Sequence, residues 1–517
     1  MNPGPVDVAI IGGGHNGLVA AAYCARAGLR TVVLERRPVL GGATLTEEVW
    51  PGYRLSVASY VCSLLDPRII DELALREHGY DAYRKDPASF TPLDDGRSLL
   101  LGEDEAANAR EIARFDERDV AGFAAFEREA ERLGALLFDS FGDPEPSFAR
   151  FPEDVQATLR GSAAELVERY VRTPVLAATL ATDGLIGTDA GPRNPGTAYV
   201  LAHHYAGRAM GAQGAWGFVR GGMGAVAAAL ASTARAAGAE LRTSAAVARI
   251  GLREGRATRL ELEDGERIDA RAILVNADPK TLFLRLLDPA DVPPSLLSRA
   301  RAWRTNGVAF KLNLALRELP DFVARPGREL QPHHRATIHV APSIDYLQDA
   351  FDDARAHGTS RAPMLECFMQ SPTDPSMVPP GKHVMSIFAQ YFPYERSDGP
   401  WRAQDRDAIA DRIITTLARY APNVPAAIEE RQALAAPDLE ALLGLSGGQI
   451  FHGELLPDQI YERRFAVRPG IDGLYLCGSG THPGGCVSGF PGRRAAEAVI
   501  SDARKAALPT TVQGGTT

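Results

Sequence analysis

The chain has 517 residues and a formal net charge of −9, with 45% hydrophobic and 23% charged residues. This composition is that of a globular protein with two or three domains, and the charge argues against a general nucleic-acid-binding protein, because phosphate recognition needs clustered Lys and Arg. The five cysteines are too few and too widely spaced for a disulfide scaffold or a Cys-x-x-Cys redox pair.

A glycine-rich turn follows the first predicted strand. Residues 6–11 read VDVAII, and Gly12, Gly14 and Gly17 then match the G-x-G-x-x-G dinucleotide fingerprint. In that fingerprint the first glycine permits the tight turn, the second admits the pyrophosphate, and the third lets the helix pack close to the strand. Residues 18–27 are a predicted Ala-rich helix whose N-terminal amides can bind phosphate. The pattern predicts a Rossmann-like unit that binds a dinucleotide.

The second predicted strand, TVVLE, ends at Glu35. An acid at this position binds ribose hydroxyls and disfavours the 2′-phosphate of NADP. The motif alone does not separate NAD from FAD. Arg36 and Arg37 follow the acid, and then Gly41 and Gly42. A second glycine pair just after the acid resembles flavoproteins of the amine-oxidase and phytoene-desaturase superfamily, which favours FAD.

Helical patterns and alternating strands fill the rest of the chain. Helical patterning covers residues 105–137, 152–170 and 223–237, whereas residues 188–222 read as a loop-rich stretch. A β-meander with Glu-Gly and Asp-Gly turns follows and returns to the main sheet with AILVNAD. Further elements are the predicted strands VAFKLNLAL, TIHVAP, MLECFM and HVMSIFAQYF and the predicted helices 344–356 and 404–420.

This order predicts an α/β fold in which a Rossmann-like nucleotide domain is assembled from both ends and the middle of the chain. An α+β substrate domain is inserted in two pieces. We place the nucleotide domain at residues 1–90, 220–300 and 440–505, the substrate domain at 91–219 and 301–439, and a disordered tail at 506–517.

Several site classes and locations are not favoured by the sequence. The adjacent pairs His203–His204 and His333–His334 lack metal-ligand spacing, so we expect no metal site. There is no signal-peptide pattern and no run of eighteen apolar residues. We therefore expect a cytoplasmic protein without a transmembrane segment. Peripheral membrane contact and the oligomeric state stay open.

A second glycine-rich turn lies near the C-terminus, where residues 477–496 read CGSGTHPGGCVSGFPGRRAA. This stretch matches a known family together with GGGHNGLVAAAY, LERRPVLGGATLTEE, GAWGFVRGGMGA, VNADP, TIHVAPSIDYL, PPGKHVMSIFAQY, GGQIFHGELLPDQI and GLYLCGSGTHPGG. Over nearly its whole length the chain resembles the phytoene-desaturase-like FAD-dependent oxidoreductases of the amine-oxidase/GDI-like superfamily. The nearest branch is labelled pyridine nucleotide-disulphide oxidoreductase domain-containing. The chain lacks both the redox cysteine pair of that label and a second G-x-G-x-x-G, so the resemblance implies a single FAD.

The resemblance implies FAD contacts motif by motif. Amides of the first loop would hold the pyrophosphate, Glu35 would bind the adenosine ribose beside Arg36 or Arg37, and the C-terminal turn would run under the flavin with a helix N-terminus directed at the ring. Ala43 stands where amine oxidases usually have Arg, which counts against amine oxidation. The implied contacts are Gly12, Gly14, His15, Asn16, Gly17, Glu35, Arg36, Arg37, Gly41, Gly42, Ala43, Val247, Asn276, Gly478, Ser479, Val487, Ser488 and Gly489.

Three histidines are candidates for the proton acceptor of the reaction. His482 lies in the flavin-proximal turn and is the nearest candidate, with a structural histidine as an equal alternative. His203 and His204 could line the pocket or belong to the core. Cys486 stands where the resemblance leads us to expect glycine. It could tether flavin, be a reactive thiol or, as we prefer, be a small tolerated residue.

These observations favour an FAD-dependent oxidoreductase that takes a hydride from an apolar or conjugated small molecule. Reoxidation would be by O2 or a quinone, since no nicotinamide site is visible. One alternative is a redox-neutral flavin-dependent isomerase. Another is a non-catalytic escort-type protein of the same fold, which the intact glycine fingerprint and Glu35 disfavour.

Overall fold

The computed structural model describes residues 5–507, which form two large sheets and sixteen α-helices. The strands are β1 (Val6–Ile11), β2 (Thr31–Leu34), β3 (Thr46–Trp50), β4 (Tyr53–Ser56), β5 (Ala82–Arg84), β6 (Ser89–Pro92), β7 (Ser98–Leu101), β8 (Gly217–Val219), β9 (Glu240–Arg242), β10 (Val247–Arg253), β11 (Arg256–Leu262), β12 (Arg267–Val275), β13 (Phe310–Leu316), β14 (Thr337–Val340), β15 (Met364–Phe368), β16 (His383–Gln390), β17 (Ile428–Leu434) and β18 (Leu474–Leu476).

The α-helices within residues 5–507 range in length from one turn to 23 residues. They are α1 (His15–Arg26), α2 (Pro67–Glu72), α3 (Glu105–Ala113), α4 (Arg118–Ser140), α5 (Glu153–Arg160), α6 (Ala163–Glu168), α7 (Pro174–Ala181), α8 (Thr197–His204), α9 (Gly224–Ala236), α10 (Pro279–Thr281), α11 (Pro294–Ala302), α12 (Ile344–His357), α13 (Ala403–Ala418), α14 (Val424–Ala427), α15 (Ala436–Leu443) and α16 (Phe490–Ala507). Within residues 5–507, none of them is long and apolar enough to span a bilayer.

The first sheet has a parallel core of five strands. Its order is β18-β12-β1-β2-β9, and β10 and β11 extend it as an antiparallel meander from β12. Helices α1, α9 and α16 pack together on one face. The predicted strand at residues 6–11, the meander and the return of AILV to the main sheet are confirmed.

The second sheet is mostly antiparallel, in the order β17-β13-β16-β15-β14-β6-β7. All four strands predicted at VAFKLNLAL, TIHVAP, MLECFM and HVMSIFAQYF belong to it. One face packs against α13, while helices α4 to α8 form the core beside the other face. The sheet therefore has buried side chains on both faces.

The helical regions differ in detail from the predictions. Residues 105–137 hold two helices, because the chain turns at Asp116, whose side chain accepts the amide of Arg118 at 3.0 Å. Residues 152–170 also hold two, and Ser162 starts the second with a capping box. The stretch 188–222 contains the buried helix α8, which has little helical periodicity because it is buried all round. Helix α16 extends to Ala507, so residues 506–507 of the predicted disordered tail are helical, and residues 508–517 lie outside the described range.

Candidate functional site

The loop after β1 is built on glycines that larger residues could not replace. Gly12 has φ of +96°, and a Cβ on Gly17 would lie 2.2 Å from the carbonyl oxygen of Gly12. Gly14 is the N-cap of α1, and Asn16 is buried in the first turn of the helix. The first amides of a helix have no intrahelical acceptor, so this turn is suited to binding an anion such as a pyrophosphate.

Glu35 follows β2 directly and organises this loop. Its Oε2 accepts the backbone amide of Gly13 at 2.8 Å, and its Oε1 accepts the backbone amide of Arg37 at 2.9 Å. The side chain is buried. Because each carboxylate oxygen can accept more than one hydrogen bond, Glu35 keeps lone pairs for ribose hydroxyls.

The two arginines after Glu35 direct their guanidinium groups to other partners. Arg36 Nη2 donates to the carbonyl oxygens of Ala441 and Leu442, both at 3.0 Å, at the C-terminal end of α15. Arg37 Nη2 forms an ion pair with Glu47 Oε1 at 2.8 Å. Both side chains thus connect neighbouring segments, and it is the backbone amide of Arg37 that touches the Glu35 carboxylate.

The second glycine pair packs directly on the first loop. The Gly41 amide donates to the carbonyl oxygen of Gly13 at 2.9 Å, and a Cβ on Gly42 would lie 3.1 Å from the Cα of Gly14. Both residues of the pair have positive φ, +129° and +53°. Ala43 follows and is half-buried. A side chain on either glycine would meet neighbouring atoms in a strained backbone conformation.

The C-terminal turn meets the first loop through two asparagines. Asn276 Nδ2 donates to the carbonyl oxygen of Gly12 at 3.3 Å, and a Cβ on Gly478 would lie 2.9 Å from the carbonyl oxygen of Asn276. Asn16 Nδ2 donates to Ser479 Oγ at 3.3 Å, although the two residues are 463 positions apart. We call this contact between residues 12–17, Asn276 and residues 478–489 the seam.

The remaining predicted cofactor residues lie at the ends of the seam and beside Glu35. Residues 487–489 lead into α16, and Gly489 has φ of +80°. Val247 opens β10 and is half-buried. It stands two positions after Ala245, whose amide donates to the carbonyl oxygen of Glu35 at 2.9 Å. The fold therefore brings the predicted cofactor residues from five separate segments to one region.

The seam fits an FAD on two structural criteria. Four buried atoms along it, His15 Nε2, Asn16 Oδ1, His482 Nδ1 and Ser488 Oγ, have no hydrogen-bond partner within residues 5–507. A buried polar atom without a partner costs about 1–3 kcal/mol, and a pyrophosphate and a polyhydroxyl chain offer such partners. The glycine surfaces also leave the backbone accessible to a closely bound ligand.

Two of the predicted catalytic histidines lie in an aromatic cluster. The ring of His482 is 4.6 Å from the ring of Tyr461 and 5.9 Å from that of Phe141, and its Nε2 lies 3.2 Å from the carbonyl oxygen of Ser140. His203 is 5.1 Å from Phe141. Burial lowers the pKa of His203 to about 3 and the pKa of His482 well below its usual range. Both rings are therefore neutral near pH 7.

The third histidine, His204, ends α8 in a different setting. Its Nδ1–H donates to the carbonyl oxygen of Val200 at 2.9 Å, and its ring stacks on Trp216 with 5.8 Å between centroids. In the described part of the chain, its Nε2 makes no hydrogen bond. With Nδ1 protonated, Nε2 has a lone pair that can accept a proton.

Comparison with known proteins identifies the family. Residues 17–500 match the family described as flavin containing amine oxidoreductase. The chain belongs to this family. It is a flavin-dependent oxidoreductase, and its cofactor is FAD.

Relatives agree with this assignment. Pyridine nucleotide-disulfide oxidoreductase domain-containing protein 2 of mouse is 40% identical, over 96% of this chain and 93% of its own. A limonene dehydrogenase component of Castellaniella defragrans is 28% identical (96% and 94% covered), and a lycopene-forming phytoene desaturase of Pseudescherichia vulneris is 26% identical (93% and 96%). The solved cyclohexylamine oxidase of Brevibacterium oxydans has the same fold, with a TM-score of 0.60 and 16% identity over 97% of this chain and all of that one. The resemblance found in the sequence is confirmed.

This flavoenzyme also has a row of side chains that was not among the predicted site residues. Lys311 of β13, Phe388 of β16, Glu366 of β15 and His339 of β14 are successive cross-strand neighbours in the second sheet, and all are buried. We call them the cross-strand row. The signal was present in FKLNLAL, TIHV and MLECF, where a single Lys, His or Glu stands between two apolar residues of a predicted strand.

Burial of His203 predicts a stability that falls in acid. The unfolded residue, with a pKa near 6.5, binds a proton at pH 5, whereas the folded residue, with a pKa of about 3, does not. Stability is therefore lost as the pH falls below 6.5, by about 2 kcal/mol for this residue between pH 7 and pH 5. We expect His203→Phe to reduce the difference in unfolding free energy between these pH values by that amount, as measured by urea denaturation.

The exposed His357 provides the control for this experiment. His357→Phe should leave the difference between pH 7 and pH 5 unchanged. An equal acid-induced loss in the wild-type protein and the His203→Phe variant would contradict the prediction.

Proposed function

We propose that this FAD-dependent oxidoreductase removes a hydride from an apolar or conjugated small molecule, and that O2 or a quinone reoxidises it in the cytoplasm. The observation that carries the proposal is a small cavity of about 20 Å³ whose lining is largely apolar. Its apolar and aromatic side chains are Leu55, Tyr60, Phe218, Phe368, Met377 and Val384. Such a lining favours apolar groups over charged ones. The relatives named after limonene and phytoene support this substrate class.

We propose roles for the residues of the seam in holding FAD. The first turn of α1 would bind the pyrophosphate, Glu35 the adenosine ribose and Val247 the adenine. Residues 41–43 and 478–479 would border the ribityl and flavin portions. The N-terminus of α16 presents free amides and a partial positive charge, which favours an anionic group placed there. Bound FAD supplies the hydride acceptor.

We propose His204 as the proton acceptor among the three histidines. Its Nδ1–H donates to the carbonyl oxygen of Val200, which leaves the lone pair on Nε2, whereas burial lowers the pKa of His203 to about 3 and that of His482 well below its usual range. Cys486 is proposed as a small tolerated residue. It has φ of +69°, and burial raises the pKa of its thiol to about 12, so the nucleophilic thiolate is scarce near pH 7.

The visible spectrum of the purified enzyme is the first test. We expect flavin absorbance that moves to the supernatant after acid precipitation. Limonene should then bleach the flavin under anaerobic conditions, with dithionite as the control for complete reduction. Bleaching by putrescine or cyclohexylamine but not by limonene would contradict the proposed substrate class. Flavin that stays in the pellet would identify Cys486 as a tether.

A further inference from the structure

The segment 446–454, which reads SGGQIFHGE, lies directly against the seam. Ser446 Oγ donates to Asp278 Oδ2 at 2.9 Å, just beyond the end of β12. Phe451 covers the C-terminal turn, because a Cβ on Gly485 would lie 2.1 Å from its Cδ1. The segment therefore contacts both the strand end and the glycine turn that form the seam, although none of its residues was among the predicted cofactor contacts.

A single arginine joins this segment to the seam. Arg464 Nη2 donates to the carbonyl oxygen of Phe451 at 2.8 Å and to that of Ser479 at 2.6 Å. Ser479 Oγ in turn accepts Asn16 Nδ2 from the first turn of α1 at 3.3 Å. His452 follows Phe451 directly. Because the two carbonyl oxygens share one nitrogen, the backbone of His452 lies beside the turn that meets the cofactor loop.

His452 combines a strained backbone with an unsatisfied ring. Its φ is +56°, in the left-handed region that residues other than glycine rarely adopt. Its carbonyl oxygen accepts the indole N–H of Trp303 at 2.9 Å, which helps to hold this conformation. Its Nδ1 is buried and has no hydrogen-bond partner within residues 5–507. Strain and orphaned polar atoms of this kind concentrate at ligand-binding sites.

A second imidazole lies within electrostatic range of His452. His15 is the first residue of α1, and its Nε2 is also buried without a hydrogen-bond partner in the described part of the chain. Burial, and to a lesser extent the charge of His452, lowers the pKa of His15 to about 3. Both ring nitrogens therefore need partners that residues 5–507 do not supply.

The charges around the two rings favour one of them as a proton acceptor. Burial lowers the pKa of His452, the carboxylate of Asp278 raises it, and the guanidinium group of Arg464 lowers it. Glu454 stands two positions further on, but burial raises its pKa to about 8, so it is largely uncharged near pH 7. Among the described residues, an acidic group acts on the pKa of His452 but not on that of His15. A proton is therefore held more readily on His452.

The pyrophosphate of FAD carries two negative charges, and the arginines near the seam are largely engaged elsewhere. The side chains of Arg36 and Arg37 are directed to other partners. Arg464 uses four of its five N–H groups for backbone carbonyl oxygens. A histidine that becomes protonated on binding supplies a positive charge and turns an orphaned nitrogen into a charge-assisted donor.

We propose that His452 is a further FAD-binding residue and that it takes up one proton from solvent when the cofactor binds. The protonated ring donates to FAD from Nδ1, while His15 stays neutral. The inference rests on the proposed cofactor site, because it adds a residue and a proton to the binding of that same FAD. Since the complex holds this proton more tightly than the free protein does, FAD binds more tightly as the pH falls.

The test counts the protons taken up when FAD binds to the full-length apo-protein at pH 7.5. Isothermal titration calorimetry in phosphate and in Tris gives this number, because the two buffers differ in their enthalpy of ionisation. We expect about one proton per FAD. Flavin fluorescence should then show an affinity about 10-fold higher at pH 6.5 than at pH 7.5.

His452→Asn is the matched variant. Asparagine adopts positive φ more readily than most other residues and keeps an N–H donor, but it does not take up a proton in this pH range. We expect this variant to take up no proton, to bind FAD with the same affinity at both pH values, and to bind it about 10-fold more weakly than the wild-type protein at pH 6.5.

Three other histidines serve as controls. His15→Asn should keep the proton uptake, because the ring that holds the proton remains. His482→Asn should also keep it, since Arg494 and Arg464 both lower the pKa of His482 and so disfavour its protonation. His357 is exposed, and His357→Asn should change neither the uptake nor the affinity.

Two results would overturn the inference. One is an uptake below about 0.3 protons in the wild-type protein, which decides the question even where His452→Asn does not fold. The other is an uptake that persists in His452→Asn. Tight FAD binding without proton uptake overturns the role of His452 alone, whereas no FAD binding contradicts the proposed cofactor site as well. Bleaching by limonene is independent of the proton count, so the proposed reaction is tested separately.

Discussion

Replacement of Arg464 by methionine is expected to lower the free energy of unfolding by about 3–5 kcal/mol. The guanidinium group is buried and donates four hydrogen bonds to backbone carbonyl oxygens. Nη1 reaches Glu454 at 3.0 Å and Gln459 at 3.1 Å, and Nη2 reaches Phe451 at 2.8 Å and Ser479 at 2.6 Å. Methionine fills similar space but leaves these carbonyl oxygens without donors. Urea denaturation of the apo-protein measures the difference.

The neighbouring Arg463 is the matched control. It is exposed, so Arg463→Met should change the unfolding free energy by less than about 0.5 kcal/mol. Because Ser479 belongs to the seam, we also expect Arg464→Met to release FAD at a lower temperature than the wild-type protein. A loss of stability below about 1 kcal/mol in Arg464→Met would contradict the assigned role.

The second large effect is expected from Glu35→Gln, which should raise the dissociation constant of FAD about 100-fold. The carboxylate accepts one amide on each oxygen, and glutamine can keep only one of these hydrogen bonds because its NH2 group faces the other donor. Loss of the charge-assisted hydrogen bonds that the carboxylate would accept from the ribose hydroxyls, together with disorder of the loop that it organises, is expected to cost about 3 kcal/mol of binding free energy, which corresponds to that change in affinity. Flavin fluorescence during reconstitution of the apo-protein measures the dissociation constant.

Glu47→Gln is the control for this change. Glu47 pairs with the Arg37 side chain and is part-exposed, so its substitution should alter FAD affinity less than 3-fold, as expected for about 0.5 kcal/mol. The free energy of unfolding of the apo-protein distinguishes two causes of weaker FAD binding. A disordered loop lowers this free energy, whereas a weakened contact to the ligand leaves it unchanged. An unchanged FAD affinity in Glu35→Gln would show that the acid does not organise the site.

The dinucleotide-binding segment could be predicted because the residues that define it are close together in the sequence. The strand, the three glycines, the helix and Glu35 lie within thirty consecutive residues, and each residue type has a steric or hydrogen-bonding reason to be there. The second glycine pair lies close enough in sequence to be recognised with them. Amphipathic helices such as α12 and α13 were predicted for a similar reason, since their periodicity is visible in the chain itself.

Helix α8 shows where local patterns are insufficient. Its eight residues are all buried, so the apolar positions follow no helical period, and the glycine-rich surroundings favoured a loop. The same burial gives its two histidines different environments. His203 joins the aromatic cluster, whereas His204 stacks on Trp216.

The sequence by itself therefore determined the family, the cofactor and the glycine framework that admits it, because close backbone approach and short-range order depend on residues near one another in the chain. Only the tertiary structure decided which charged groups meet. Lys85 reaches Thr337 across 252 positions, and the cross-strand row depends on the register of four strands that contribute one residue each. Strand alternation indicates which residues share a face, but pairing partners and burial are set by long-range packing.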